Sequence, residues 1–405
     1  MAHTRTPQSE ITLERCLQAQ HAALALVRRT PVLDCPEISG HHGGTVALKA
    51  ECLQRTGSFK LRGVLEKLRH IPSDSRGVVS ASAGNHGQSL AYAARARGIS
   101  CEVFMPLDAP VSKFAAVSAF GAEVHREGDS IEQCLAHARE RALEGKLEFV
   151  HPFDDEDVIT GQGTVGIELC EQLADLSKVI VPIGGGGLAS GIAVAIKSQR
   201  PEVQIVGVQA SACAPFTGEP APERFTQTIA DGIAVKRPGE RTRPLIESLL
   251  EDVVSVREEE IAEAMVFALE RVKLVLEGAG AASLAALLSA RVAPAPAGTT
   301  VAILSGGNLD IGLLAAIAQR QETRAGRRVR LFTHVRDRPG GLASLLATLA
   351  QSRANVISVE HIRDGVPLAV RESALALTIE TRGADHLSQV LTDLTSAGYE
   401  VREDQ

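Results

Sequence analysis

The chain of 405 residues lacks several features that would point to particular functions. It contains no Trp and only 2 Tyr, so an aromatic platform for stacking nucleic-acid bases is not expected. Its formal net charge of -7 offers no basic surface for a phosphate backbone. Apolar residues nowhere continue for the roughly eighteen positions that a membrane helix needs. These shortages argue against nucleic-acid binding and against membrane insertion.

Cysteine is sparse as well, and no two cysteines lie close together in the sequence. The 7 Cys are an odd number, which argues against a disulfide framework or a zinc knuckle. The first ten residues are polar and lack the apolar core of a signal peptide. We therefore expect a protein of a reducing cytoplasm.

Short Val- and Ile-rich segments alternate with helical patterns over most of the chain. Apolar strands separated by helices predict parallel sheets with helices on both faces. The pattern also predicts a helix over residues 12–29 and a long helix from Glu258 to about Leu276. We expect an α/β body over residues 1–320. The apolar strand segments are 78–81, 101–105, 179–183, 203–208 and 300–304.

The C-terminal part has a different composition. Residues 321–328 are charged and lack apolar spacing, so we interpret them as a linker. Beyond it, residues 329–405 show strand and helix patterns in the order β-α-β-β-α-β, which is the ferredoxin-like split unit. The sequence therefore predicts a second, smaller domain.

Residues 56–63 (T-G-S-F-K-L-R-G) place Lys60 at the start of a predicted helix. Burial disfavours the charged ammonium and lowers its pKa, and the neutral amine can form a Schiff base with a carbonyl cofactor. Taken alone, the segment fits equally well with an ordinary surface lysine at a helix start.

Three further segments follow predicted strands and carry small or polar residues. Residues 82–88 (S-A-G-N-H-G-Q) can offer backbone amides to a carboxylate and the Asn85 side chain to a ring or hydroxyl. Residues 184–188 (G-G-G-G-L) can direct N–H groups at a phosphate. Residues 305–308 (S-G-G-N) place a hydroxyl at the carboxyl end of a strand, where open α/β sheets bind ligands. Taken singly, residues 82–88 and 305–308 could also be plain turns. A linker is an implausible alternative for residues 184–188, because they lie between two apolar elements.

These segments occur in order with T-I-A-D-G-I at 228–233 and E-G-A-G-A at 277–281. Together they resemble the threonine/serine dehydratases among the pyridoxal-phosphate enzymes of fold type II, over roughly residues 12–320. The resemblance implies an α/β fold of two open subdomains with mostly parallel sheets. It also implies β-elimination from L-threonine, giving 2-oxobutanoate and ammonia, and from L-serine, giving pyruvate.

The same resemblance implies roles for individual residues. Lys60 would carry pyridoxal 5'-phosphate and remove the α-proton of the substrate. Gly232 and Glu277 match positions near the cofactor ring. The implied cofactor-binding residues are Lys60, Phe59, Asn85, Gly184, Gly185, Gly186, Gly187, Leu188 and Ser305. The implied substrate-binding residues are Ser82, Ala83, Gly84 and His86.

At two places this sequence differs from the racemases of the same family, and the differences narrow the expected chemistry. The racemases of this group carry a serine where this chain has Ala83, and alanine cannot donate a proton on the face opposite the lysine. Those relatives also bind a divalent metal through an acidic pair, whereas this chain has Gln209, Cys213 and Pro215 in that region. We therefore expect elimination rather than racemisation, and no metal site there.

Residues 329–403 resemble an ACT domain, a small amino-acid-sensing unit, through D-R-P-G-G-L at 337–342 and N-V-I-S-V at 355–359. In that family, effectors often bind near the first turn, between two modules, which implies a homodimer or homotetramer. Our hypothesis is feedback by a branched-chain amino acid, since 2-oxobutanoate leads to isoleucine. A dimerisation module without a ligand is the alternative. The implied effector residues are Asp337, Pro339, Gly340, Gly341 and Leu342.

Three other functions stay open at this stage. The enzyme could dehydrate another β-hydroxy amino acid, such as serine or 3-hydroxyaspartate, because the sequence does not place the pocket walls that select the substrate. It could be an amino-acid racemase. It could also be a non-catalytic amino-acid sensor that has kept the fold.

Overall fold

The computed structural model describes residues 11–42, 44–217, 228–362 and 371–403, and the chain divides into two units between Asp310 and Ile311. The strands of the first unit are β1 (Val32–Asp34), β2 (Thr45–Lys49), β3 (Gly77–Ala81), β4 (Ser100–Met105), β5 (Glu123–Arg126), β6 (Glu148–Phe149), β7 (Leu176–Pro182), β8 (Gln204–Ala210), β9 (Asp252–Val256) and β10 (Thr299–Ile303). Its helices are α1 (Leu13–Ala23), α2 (Pro36–His42), α3 (Lys60–Arg69), α4 (Asn85–Arg97), α5 (Val111–Ser118), α6 (Ile131–Gly145), α7 (Glu156–Gln172), α8 (Gly187–Lys197), α9 (Thr242–Leu249), α10 (Glu258–Phe267) and α11 (Gly278–Leu288).

The strands of this first unit form two sheets. The larger sheet has the order β1-β2-β10-β7-β8-β9 and is parallel except for β1, which runs antiparallel to β2. The smaller sheet has the order β5-β4-β3-β6 and is parallel throughout. This arrangement confirms the predicted fold class of two open α/β subdomains with mostly parallel sheets.

The strands at the centre of the sheets are buried, and the neighbours of each strand determine which of the following segments lie together. Every residue of β3 and of β10 is buried, as expected for parallel strands that are covered on both faces. Strands β7 and β10 are neighbours in the larger sheet, so the segments that follow them lie at the same sheet edge. Polar and glycine-rich segments are therefore gathered at the carboxyl ends of the strands.

The second unit contains a single described sheet with helices packed against it. Its elements are α12 (Ile311–Arg324), β11 (Arg328–Arg336), α13 (Gly341–Gln351), β12 (Asn355–Ile362), β13 (Glu372–Glu380), α14 (Ala384–Ser396) and β14 (Val401–Glu403). The sheet is antiparallel with the order β12-β13-β11-β14, and the β-α-β-β-α-β order from β11 to β14 confirms the predicted fold of this unit. Its core is formed by apolar residues such as Leu331, Leu345 and Leu377. Helix α12 extends into the first residues of the predicted linker 321–328.

Two helix predictions were wrong in length. The first helix ends at Ala23 rather than at residue 29. The long helix expected from Glu258 to about Leu276 stops at Phe267 and continues only as a π-helical turn, Ala268–Val272. Lys273 then adopts a left-handed conformation with φ 64, which an α-helix cannot continue through. The chain leaves the helix there and reaches Glu277 in an extended conformation.

Candidate active site

The segment that precedes Lys60 is held against the segment that follows β10. The Phe59 amide donates to the Ser305 carbonyl at 3.1 Å, and Ser58 forms an antiparallel bridge with Gly306. Gly57 has a φ of 74, and a β-carbon there would lie 2.2 Å from the Asn308 side chain. The fold therefore brings together two segments that lie about 250 residues apart in sequence.

Lys60 is the first residue of α3 and is half-buried. Its Nζ donates a hydrogen bond to the Pro152 carbonyl at 2.7 Å and lies 5.2 Å from the centre of the Phe59 ring. Desolvation lowers the pKa of Lys60 to about 8, although the Glu277 carboxylate acts in the opposite direction. Near neutral pH a useful fraction of this amine is thus uncharged and nucleophilic.

Residues 82–85 connect β3 to α4 and form an open turn. The Gly84 amide donates to the Ser82 hydroxyl at 3.1 Å, and Ala83 and Asn85 are half-buried. A β-carbon built on Gly84 would have open space around it. Since the first amides of α4 lack intrahelical partners, the turn can accept a carboxylate.

A chain of amide and carboxyl groups fixes the Asn85 side chain. Its Nδ2 donates to Glu277 Oε1 at 2.5 Å, and its Oδ1 accepts a hydrogen bond from Asn308 Nδ2 at 2.8 Å. Burial and the nearby Asp231 carboxylate raise the pKa of Glu277 to about 7. An amide nitrogen carries two hydrogens, so Asn85 has a second N–H beyond the one given to Glu277.

The glycine loop, Gly184–Gly187, follows β7 and opens α8. Gly186 has a φ of 97, which favours glycine. A β-carbon on Gly185 would lie 2.2 Å from the Phe153 ring, and one on Gly187 would lie 2.8 Å from the Phe153 carbonyl oxygen. The loop therefore needs glycine for space, and it presents the N-terminal amides of α8, as an anion site requires.

Ser305 lies at the carboxyl end of β10 and is buried. Its hydroxyl donates to the Ala279 carbonyl at 3.3 Å, which leaves the oxygen able to accept a further hydrogen bond. The structure therefore places Lys60, Asn85 and Ser305 in or next to segments that contact one another.

The predicted residue His86 is placed differently from its neighbours. Its imidazole is buried and its Nε2 contacts the Val150 carbonyl at 3.1 Å. Burial lowers the pKa of His86 to about 3, so the ring is neutral. What His86 can offer a substrate carboxylate is therefore its backbone amide at the start of α4, and not its side chain.

The predicted effector residues occupy the turn between β11 and α13. Asp337, Pro339 and Gly340 are exposed, and Gly341 begins α13. Gly340 has a φ of 89, and a β-carbon on Gly341 would lie 2.4 Å from the Arg336 carbonyl oxygen. Leu342 packs against the core of this unit. The turn thus combines glycine-dependent geometry with an exposed helix N-terminus.

Gln209 lies in the region where the sequence predicts that no metal binds, and its side chain has a structural role. Its Oε1 accepts a hydrogen bond from the Phe216 amide at 2.9 Å. Cys213, a little further along the chain, is a buried free cysteine. Elsewhere among the described residues, two groups of acidic and histidine side chains lie close enough to share an ion, but each already bonds basic side chains. These groups are Glu66, His70 and Asp157, and Glu102, Glu123 and His125.

Sequence reasoning missed the loop between β6 and α7. Pro152 accepts the hydrogen bond of Lys60, and Phe153 packs under the glycine loop. The stretch H-P-F-D-D at 151–155 has the Pro and Asp residues of a turn that leads into a capped helix. Those residues mark the turn, but nothing in them indicates which elements it contacts.

The family model described as pyridoxal-phosphate dependent enzyme matches residues 23–306, and the ACT domain model matches residues 329–398. An L-threonine ammonia-lyase of Thermotoga maritima is 42% identical over 97% of this chain and 99% of its own length. The protein of the same name from Geobacter sulfurreducens is 42% identical over 92% of this chain and 94% of its own length. The structure of maize serine racemase is 33% identical and has a TM-score of 0.70, covering 77% of this chain and 98% of its own.

Proposed function

The chain belongs to the pyridoxal-phosphate-dependent enzymes and carries a C-terminal ACT domain, and from this premise we propose that it is an L-threonine ammonia-lyase. Two relatives of that name align with more than nine tenths of the chain, ACT domain included. The observation that carries the proposal is the Lys60 amine, whose pKa is lowered to about 8 and which bonds the Pro152 carbonyl, next in the chain to the Phe153 ring that packs against the glycine loop.

The residues of the site fit pyridoxal phosphate. The glycine loop excludes side chains and presents helix N-terminal amides, which suits a phosphate. Asn85 has an N–H to give to a ring oxygen, and the Ser305 hydroxyl can rotate from the Ala279 carbonyl to donate to a ring nitrogen. We infer that the phosphate is held by Gly184, Gly185, Gly186, Gly187 and Leu188, with Phe59 against the ring.

The reaction then follows from what the side chains do. When bound, the cofactor supplies the electron sink for the Cα–H bond of the substrate. Lys60 first holds the cofactor and then, as a free amine, removes the α-proton. The turn formed by Ser82, Ala83 and Gly84 orients the substrate carboxylate. Loss of the β-hydroxyl as water leaves an enamine, whose hydrolysis takes up one water, so L-threonine yields 2-oxobutanoate and ammonia.

Racemisation is the second candidate, because maize serine racemase shares the fold at 33% identity. A racemase needs proton donors on both faces of the α-carbon. Ala83 occupies the position where the racemases of this group carry a serine, and a methyl group can neither donate nor accept a proton. With Lys60 as the base on one face, elimination is the outcome that this chain supports.

The decisive experiment combines substrate turnover with cofactor trapping. The wild-type enzyme should form a 2-oxo acid from L-threonine faster than from L-serine or 3-hydroxyaspartate. Borohydride reduction should fix the cofactor on the peptide that contains Lys60, as read by mass spectrometry. Lys60→Ala should abolish both results, whereas Lys178→Ala, a lysine outside the site, should change neither. Cofactor fixed on another lysine would contradict the assignment.

We propose further that the ACT domain binds a branched-chain amino acid at the turn before α13. Gly340 is exposed, and the first amides of α13, which lack intrahelical partners, suit a carboxylate. Isoleucine or valine should then change threonine turnover, and Asp337→Ala should weaken the response while Asp385→Ala, at the start of α14, keeps it. Turnover that does not respond to either amino acid would reject the proposal.

We infer a cytoplasmic location and assembly into a homodimer or homotetramer. The seven cysteines are free and buried, as in proteins of reducing compartments. No described helix is both long and apolar enough to cross a membrane. The ACT domain supports self-association, because its effectors lie between modules. Sedimentation analysis of the purified enzyme tests the assembly, and a monomer would contradict it.

A further inference from the structure

The loop formed by residues 151–154 joins β6 to α7 and contacts both halves of the site. The Pro152 carbonyl accepts the hydrogen bond from Lys60 Nζ at 2.7 Å. The Phe153 ring occupies the space that a side chain at Gly185 would need. Two consecutive residues of one short loop therefore contact the lysine and the glycine loop.

The next residue of the loop links it to the other side of the glycine loop. Asp154 accepts hydrogen bonds from the amides of Glu240 at 3.0 Å and Arg241 at 2.9 Å, at the start of α9. Thr242, the first residue of α9, donates from its hydroxyl to the Gly185 carbonyl at 2.6 Å. The glycine loop is thus held between Phe153 and α9. The loop 151–154 packs against the glycine loop through Phe153 and bonds the start of α9 through Asp154.

His151 holds this loop in its conformation. Its Nδ1 accepts two backbone hydrogen bonds, from Phe153 at 3.3 Å and from Asp154 at 2.8 Å. The ring packs edge-on against Phe149 and Phe153, with centroids 6.1 and 4.6 Å away. Accepting two N–H groups requires an unprotonated Nδ1, and burial lowers the pKa of His151 to about 4, which keeps the ring neutral.

We propose that His151 is a positioning residue, whose Nδ1 folds the loop 151–154 so that Pro152 orients the Lys60 amine and Phe153 supports the glycine loop. The inference rests on the proposed role of Lys60 as the lysine that carries the cofactor. The role assigned to His151 is to position other groups, since its Nδ1 is used by two backbone amides. Its effect is on how well the site is arranged to receive the cofactor.

The test compares two replacements of His151. In His151→Asn, the side-chain oxygen can take the place of Nδ1 as acceptor, whereas His151→Leu keeps an apolar packing group and removes the acceptor. Binding of pyridoxal phosphate to the cofactor-free enzyme is measured by its absorbance. We expect His151→Leu to bind at least tenfold more weakly than the wild type and His151→Asn to bind within about threefold of it.

A second probe separates the two contacts. Pyridoxine 5'-phosphate has the phosphate and the ring but no aldehyde, so it reports the glycine loop without the bond to Lys60. His151→Leu should weaken this probe as well, but less than it weakens pyridoxal phosphate. Loss of affinity for pyridoxal phosphate alone would overturn the role at the glycine loop.

Two further outcomes would overturn the proposal. The first is equal affinity of the wild type and His151→Leu for pyridoxal phosphate. The second is an equal loss of affinity in His151→Asn and His151→Leu, which would show that packing of the ring matters and the acceptor does not. If His151→Leu gives no folded protein, His151→Gln, whose oxygen lies beyond the Nδ1 position, takes its place in the comparison. A wild type that binds no cofactor would instead reject the proposed function.

Discussion

Replacing Arg62 with methionine should lower the free energy of unfolding of the first unit by about 3–5 kcal/mol, because the buried Glu51 carboxylate loses its partner. Arg62 is 2% exposed and binds Glu51 through two hydrogen bonds of 2.8 Å. It also bonds Glu168 at 2.7 Å, and Lys49 binds the other oxygen of that carboxylate. The four side chains carry two positive and two negative charges, so the wild-type cluster is neutral.

The magnitude follows from what Glu51 can do once Arg62 is gone. Burial raises the pKa of Glu51, and in the wild type the Arg62 guanidinium overrides burial and holds this pKa below its ordinary value. Without Arg62, the carboxyl would fold in its neutral form. Protonating an ordinary glutamate at pH 7.5 costs about 4 kcal/mol, and about 1.4 kcal/mol less for each unit by which the pH is lowered.

The sign of the pH dependence is therefore opposite in the two proteins. The lowered pKa of Glu51 gives the wild type stability that is present above the unfolded pKa and is lost as the pH falls. In Arg62→Met, the raised pKa gives stability that is lost as the pH rises. The difference in the free energy of unfolding between the wild type and Arg62→Met should therefore grow with pH above about 4.5.

The assay is thermal unfolding of both proteins at pH 5.5 and 7.5, followed by circular dichroism. At pH 7.5 the midpoint should fall by roughly 6–12 °C, and the difference should be smaller at pH 5.5. Arg29→Met, which removes an exposed partner of Glu171 on the same helix as Glu168, should change the midpoint by about 2 °C or less. Adding Glu51→Gln to Arg62→Met should restore part of the loss. A difference that does not depend on pH would refute the reasoning.

Three smaller changes test the site. Gly185→Ala would place a β-carbon 2.2 Å from the Phe153 ring and should weaken pyridoxal phosphate binding at least tenfold, whereas Gly40→Ala, which meets open space, should not; equal affinities would contradict this. Because the pKa of Glu277 is raised to about 7 by burial, the cofactor-free wild type should lose stability relative to Glu277→Gln as the pH rises from about 4.5 to 7, and a constant difference would argue against the raised pKa. Ala83→Ser should yield measurable D-serine from L-serine, and its absence would contradict the role assigned to this position.

The predictable features are those that local patterns determine. Apolar strands that end in glycine or polar turns indicate where β7 and β10 stop, and helix periodicity after Lys60 locates α3. The β-α-β-β-α-β order of the second unit is predictable for the same reason. What such patterns leave open is which turns lie next to each other, and the ordered resemblance to a known family supplied that information.

The features that sequence reasoning missed depend on contacts between distant residues. No local pattern marks Lys49 and Glu51 as buried charges, yet both are fully buried. The cluster that makes this possible is completed by Glu168, which lies more than a hundred residues away in the sequence. The break after Phe267 was missed because neither Gly nor Pro marks it and the left-handed residue is Lys273.

Two of the basic residues on helix α3, Arg62 and Lys60, lie in opposite electrostatic environments. Arg62 is buried with two carboxylates and remains charged, since a guanidinium keeps its proton and its planar donors match those acceptors. Lys60, two residues earlier, is desolvated with a carbonyl as its hydrogen-bond acceptor, and the field of Glu277 only partly offsets the burial. The acceptor that each cation meets therefore decides its state. With a carbonyl in place of a carboxylate, the Lys60 amine is partly uncharged near neutral pH and can act as a nucleophile.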